Sequence, residues 1–190
     1  MKTEIYYFTG TGNSLFIANK LHKLLPDTVL IPIVKLLKSN HHTTKASNIG
    51  FIFPCHGLTI PIPVKDFLKR VDPKSSDYFF AIATRAGSVF RGFHLINQLL
   101  RKKSKHLNAD FVINMGLNDP KLKEFSVPTK EELNALEKNA LHKLKEIQKI
   151  IKDKAEYHED ENGVTFSCSR ILNYPLERLI HLRPIFYHPW

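Results

Sequence analysis

Through the first two-thirds of the chain, short runs rich in β-branched and aromatic residues alternate with longer stretches of helical spacing. A chain patterned in this way is expected to form an α/β domain, a parallel sheet covered by helices on both faces. The strands are expected at residues 4–8, 28–33, 48–54, 78–84 and 109–115, each apolar enough to be buried on both faces as parallel strands are.

The intervening stretches carry helical stripes. Ile17, Leu21, Leu24 and Leu25 share one face of a helix that Pro26 ends. A second helix is expected over 63–70, with Pro63 in its first turn and Val64, Phe67 and Leu68 buried. A third covers 93–105, turning Leu95, Ile96, Leu99 and Leu100 inward and placing Arg101, Lys102 and Lys103 where the helix dipole favours cations. The capping box at Thr129 and Glu132 opens a fourth, which carries Leu133, Leu136, Ala140, Leu144, Ile147 and Ile151 and runs to Lys154. The pattern then breaks over 155–163, and the apolar, arginine-punctuated segment 170–190 has no obvious place in the sheet.

The bulk properties agree with one domain and an appendage: 190 residues, 43% hydrophobic and 24% charged, bury one full core and not two. The division expected is a domain over 1–154 and an extension over 155–190. Residues 1–8 show no charged leader followed by an apolar core and cleavage site, and no stretch approaches the roughly 18 apolar residues of a membrane span. A soluble, cytoplasmic protein without a transmembrane segment is expected. The two cysteines, Cys55 and Cys168, form no C-x-x-C pair, which speaks against a disulfide framework, a zinc site or an iron-sulfur cluster. A net charge of +10 implies attraction to something acidic.

The chemistry is expected in the first strand-to-helix turn, Thr9-Gly10-Thr11-Gly12-Asn13-Ser14, because ligands of open parallel sheets bind at that edge. A helix N-terminus offers unpaired amides and partial positive charge to an anion such as phosphate. Gly10 and Gly12 let the backbone approach it, and Thr9, Thr11 and Ser14 add three hydroxyls. The loop ends Gly-Asn-Ser where a Walker A loop requires Gly-Lys-Ser or Gly-Lys-Thr, and Leu15 stands where a dinucleotide fingerprint requires its third glycine. Nucleotide hydrolysis and ordinary NAD binding are thereby disfavoured.

The run from Tyr6 to Ser14 resembles the phosphate loop of flavodoxins, most of all the flavodoxin half of bacterial and archaeal flavodoxin-ferredoxin fusion proteins. The likeness continues through Ile49-Gly50-Phe51-Ile52-Phe53-Pro54, Val64-Lys65-Asp66-Phe67-Leu68 and Ala81-Ile82-Ala83-Thr84, covering about residues 1–154. This resemblance implies a flavodoxin-like three-layer sandwich, with a five-stranded parallel sheet in the order 2-1-3-4-5, and flavin mononucleotide (FMN) as cofactor. Its phosphate would lie in the first loop. Pro54, Cys55, His56 and Gly57 would flank one edge of the flavin ring, and Thr84, Arg85, Ala86, Gly87 and Ser88 the other. A glycine at position 57 would let a backbone carbonyl turn toward flavin N5.

The chain departs from the family in two respects. The iron-sulfur motifs of the fusion proteins are absent, and the charge is basic where familiar flavodoxins are acidic. Arg85 and Arg91 could therefore bring positive charge to flavin N1, or point to solvent. Phe90 reads better as a core residue than as a ring-stacking one, and Cys55 as a packing residue. His56 neighbours the proposed flavin, whereas the adjacent pair His41 and His42 does not suit one metal.

The leading function is electron transfer through FMN to a redox protein, acidic or iron-sulfur in character. Two alternatives stay open. One is an FMN-dependent NAD(P)H or quinone reductase. The other is a flavin-free module whose basic surface, including Lys102, Lys103 and Lys105, holds an acidic partner or nucleic acid; no specific nucleic-acid recognition is expected, and the interleaved aromatic residues that would suggest single-strand stacking are absent. The oligomeric state is left open.

Overall fold

The computed structural model describes residues 2–38, 41–86, 90–116 and 128–159. Gly87, Ser88, Cys168 and the segment 170–190 lie outside these described residues. In chain order the elements are β1 (Thr3–Tyr7), α1 (Asn13–Leu24), β2 (Thr28–Pro32), α2 (Ile33–Leu36), β3 (His42–Thr43), β4 (Asn48–Pro54), α3 (Ile62–Arg70), β5 (Val71–Asp72), β6 (Tyr78–Arg85), α4 (Phe93–Arg101), β7 (Ala109–Asn114), α5 (Lys130–Lys152) and β8 (Tyr157–His158).

The main sheet is parallel throughout and runs β2-β1-β4-β6-β7-β8. Its first five members are the five expected strands, in the 2-1-3-4-5 order. The sixth, β8, corrects the expected count. It forms where the helical pattern has broken down, with Tyr157 opposite Ala109 and His158 opposite Asp110. Two residues carry no readable alternation, so side chains hold the edge instead. The buried Asp110 carboxylate lies 2.6 Å from His158 Nδ1 and accepts the Glu159 amide at 3.0 Å. Glu159 in turn accepts the Val112 amide at 2.7 Å and pairs with Lys143. A second small sheet, β3 with β5, lies outside the main one.

Strand alternation divides the core in two. Ile49, Phe51 and Phe53 of β4 face α3 and α4 together with Phe67, Phe79, Phe90 and Ile96. Ile5, Ile52, Phe80, Ile82 and Phe111 face α1 and α5, against Ile17, Leu21, Leu144 and Ile147. Phe90 is wholly buried against Phe53 and Phe93, as its core reading requires. At Gly50 the Phe80 ring occupies the space of a side chain: a Cβ there would come within 2.2 Å of it. Gly50→Ala is therefore expected to cost about 1–3 kcal/mol by overpacking, read as a lowered urea midpoint with an unchanged m-value.

Two helices end differently from their sequence patterns. α4 stops at Arg101 rather than Lys105, because Ser104 takes a left-handed φ of 57° and the Lys103 and Lys105 amides return to the Leu100 carbonyl. α5 keeps its capping box, Thr129 Oγ1 accepting from the Glu132 amide and Glu132 from the Thr129 amide. Its buried stripe, however, begins only at Ala140, and Leu133 is 45% exposed. Helix length explains this: 23 residues span about 35 Å, whereas the 6 residues of β7 span about 20 Å. The first turns of α5 overhang the sheet at the C-terminal ends of its strands.

Candidate functional site

The same sheet edge gathers the loops that follow β1, β4, β6 and β7. After β1, the Phe8 amide still pairs with the Ile52 carbonyl at 2.9 Å, and the chain then turns away. Gly12 closes the turn at φ +105°, a conformation open to glycine, and donates its amide to Thr9 Oγ1 at 3.1 Å. As the N-cap of α1 it has no side chain to accept from the helix's first amides. The N-H groups of Asn13, Ser14 and Leu15 have no acceptor among the described residues, which leaves them for an outside anion. A Cβ on Gly10 or Gly12 would meet nothing within 4 Å, so the space over the loop is open.

The three hydroxyls of this loop do not play one part. Thr11 is exposed, and Thr9 is partly exposed with its own proton still available to donate. Ser14 is buried, and its hydroxyl shares a 2.8 Å hydrogen bond with the buried Thr84 hydroxyl at the end of β6. Asn13 likewise turns sideways, donating its side-chain amide to the Gly116 carbonyl beyond β7 at 3.1 Å. Two residues assigned to the loop from sequence thus tie it to its neighbours.

After β4, Pro54 closes the strand and the Cys55 amide extends the ladder to the Thr84 carbonyl at 2.8 Å. His56, Gly57, Leu58 and Thr59 then make a tight turn, the His56 and Thr59 amides each donating to the other's carbonyl at 3.0 Å. Both central residues have positive φ, 54° at Gly57 and 67° at Leu58. Glycine at 57 was legible as a turn residue, but nothing in the sequence marks leucine for the left-handed region, where it stores about 1–2 kcal/mol. The Arg91 amide holds the Leu58 carbonyl at 2.8 Å. The His56 ring meets the Phe8 ring edge to face at 6.0 Å, joining this loop to the first.

After β6, Arg85 donates from Nε to Asn114 Oδ1 at 3.0 Å, and its carbonyl accepts the Met115 amide at 2.6 Å. The guanidinium is therefore engaged toward β7. Arg91 is 8% exposed, so it does not point freely to solvent. Ala86 is exposed at the end of this stretch. Of the residues expected at the site, Thr9 to Ser14, Pro54 to Gly57 and Thr84 to Ala86 share one edge of the sheet.

Beneath β1 lies a polar network that sequence reasoning missed. Buried Glu4 accepts from Tyr6 Oη at 2.6 Å and Thr44 Oγ1 at 2.5 Å, and pairs with Lys2 at 3.2 Å; Tyr6 Oη also lies 3.0 Å from His42 Nε2. Burial opposes ionisation of Glu4, but the hydrogen bonds from Thr44, Tyr6 and Lys2 outweigh it and hold the carboxyl below its ordinary value of 4.5. Burial and then Glu4 push the Tyr6 phenol up. A depressed carboxyl contributes stability that is present above the ordinary value and lost as pH falls through the folded value. Glu4→Gln should therefore lose less stability than the parent on acidification from about pH 5 to about pH 3, as measured by denaturant titration at each pH.

No family model matches this chain, and no curated protein matches it by sequence. Solved structures do resemble it. The azoreductase from Bacillus anthracis str. Sterne superposes with a TM-score of 0.51 at 10% identity, over 78% of this chain and 99% of that one. Two-electron reduced flavodoxin from Megasphaera elsdenii gives 0.45 at 16% identity, over 74% and 98%. Rubredoxin oxygen:oxidoreductase from Desulfovibrio gigas gives 0.48 at 15% identity, over 80% of this chain; the match spans only 36% of that protein's length. With the strand order, the azoreductase superposition identifies the fold as flavodoxin-like. Among the described residues, no helix is long and apolar enough to cross a membrane.

Proposed function

We propose that this chain is a flavodoxin-type flavoprotein that binds FMN at the C-terminal edge of its sheet and passes electrons through it to a redox protein. The observation that carries the reading is the mouth of the first loop. It combines three amides without an acceptor among the described residues, two hydroxyls on the accessible side, open space above both glycines, and no charged residue. That donor set suits a phosphomonoester, which needs several N-H and O-H donors and no competing carboxylate.

When bound, FMN would supply one- and two-electron chemistry; the protein supplies position and electrostatics. In this reading Thr9 and Thr11 donate to the phosphate, while Ser14 holds the loop against Thr84. The turn from His56 to Thr59 flanks one edge of the ring, with its left-handed Gly57 free to reorient a carbonyl. Thr84, Arg85 and Ala86 flank the other, and we extend this wall to Gly87 and Ser88 from the resemblance. In this reading the site belongs to a domain that runs past the expected boundary at 154 to include β8, with the residues after 159 appended to it. The redox partner is an acidic or iron-sulfur protein.

The flavin-free alternative loses much of its proposed surface. Lys103 donates its ammonium to the Lys69 and Val71 carbonyls, and Lys105 to those of Lys74 and Ser76. Both lysines serve the fold. Titration with FMN tests the proposal: quenching of flavin fluorescence to a one-to-one endpoint is expected, with FAD and riboflavin bound more weakly. Absence of quenching with all three would overturn it. Steady NAD(P)H oxidation by the loaded protein would favour a reductase instead.

A further inference from the structure

The basic charge of this chain is not spread evenly over the fold. Helices of a parallel α/β domain end, and its strands begin, at the edge opposite the candidate site, and that edge collects lysines from many elements. Exposed Lys23, Lys45, Lys74, Arg101, Lys102 and Lys152 all stand there, at the ends of α1, α4 and α5 or in the turns entering β4, β6 and β7. Lys23, Lys45, Arg101, Lys102 and Lys152 make no ion pair among the described residues. The site edge is less basic: the first loop carries no charge, the residues from Pro54 to Pro61 include only His56, Arg85 is bonded to Asn114, and Lys130 is followed by Glu131 and Glu132. β6, of 8 residues, separates the two edges by roughly 25 Å. That exceeds the Debye length of about 10 Å at moderate salt, so these lysines act on whatever meets their own edge.

We infer that this lysine-bearing edge docks the chain on an anionic lipid surface, leaving the site edge turned toward solution. Three features favour lipid. The charges lie on a broad face, roughly 25 Å across the six strands, rather than along a ridge. They are mostly ammonium point charges, which attract anionic headgroups through proximity and need no planar fork. Asp27, Asp77 and Asp153 stand among them. Laterally mobile lipids gather under lysines and avoid carboxylates, whereas a nucleic acid carries its phosphates at fixed spacing and cannot.

Cosedimentation of the full chain with vesicles tests the docking surface independently of any flavin. Binding is expected to vesicles of phosphatidylcholine mixed with phosphatidylserine, to be lost at high salt, and to be absent with phosphatidylcholine alone. The triple variant Lys45→Glu/Lys102→Glu/Lys152→Glu should bind at least about tenfold more weakly. Lys130→Glu/Lys138→Glu/Lys145→Glu, the same change of charge on the outer side of α5, should retain binding. Equal losses in the two triples, retention in the first, or equal binding to neutral vesicles would overturn the inference. So would tighter binding to duplex DNA than to the anionic vesicles.

Discussion

A Thr11→Asp variant should bind FMN at least about a hundredfold more weakly than the parent while holding riboflavin unchanged. Thr11 is exposed and makes no hydrogen bond among the described residues, so the substitution leaves the packing alone. It sets a carboxylate at the mouth of the helix N-terminus, where the proposal puts a dianionic phosphate. Two anions competing for the same amides repel one another, and the amides that would have served the ligand turn to the protein's own carboxylate. Parallel titrations with FMN and riboflavin read the result. Equal losses for both would mean that the phosphate lies elsewhere, and no loss for either would remove the loop from the site.

Thr84→Val should lose about 1–3 kcal/mol of stability, although valine matches threonine in shape. The cost comes from Ser14, 1% exposed, whose hydroxyl bond to Thr84 at 2.8 Å would be lost inside the protein. Removing both hydroxyls in Ser14→Ala/Thr84→Val should recover most of that loss, since an apolar pair strands no polar group. Binding follows a different pattern. The hydroxyl pair joins the first loop to the third, so FMN affinity should fall about tenfold in the single and the double variant alike. Denaturant titration and FMN titration on the four members of the cycle separate the effects. Additive stability losses would show that the two hydroxyls do not depend on each other.

The strand-helix alternation carried most of the fold because parallel strands buried on both faces leave near-continuous apolar runs. Phe51, Phe53, Phe80 and Ile82 are examples, all fully buried. The elements that escaped it are held by side chains rather than by alternation. β8 depends on Asp110 and Glu159, which read as ordinary surface acids until their partners are seen. β3 is held near β1 through Glu4, Tyr6 and Thr44, residues 40 positions apart at the ends. At the site, glycines and hydroxyls marked the first loop correctly as a place of special backbone. The division of labour among its hydroxyls was not legible, because whether Ser14 faces a ligand or Thr84 is decided 70 residues away. Lys103 and Lys105 show the same limit. Their charge suggests a partner, while their ammoniums close off main-chain carbonyls.

The short strand β8 also governs where this domain can be cut. A stop after Lys154 would remove the His158 ring and the Glu159 amide, the two groups that hold the Asp110 carboxylate. It would also bare the edge of β7, a row of unpaired amides and carbonyls of the kind that recruits other chains. Ending a fragment at Glu159 keeps that seam closed with five more residues than the helical pattern alone would suggest.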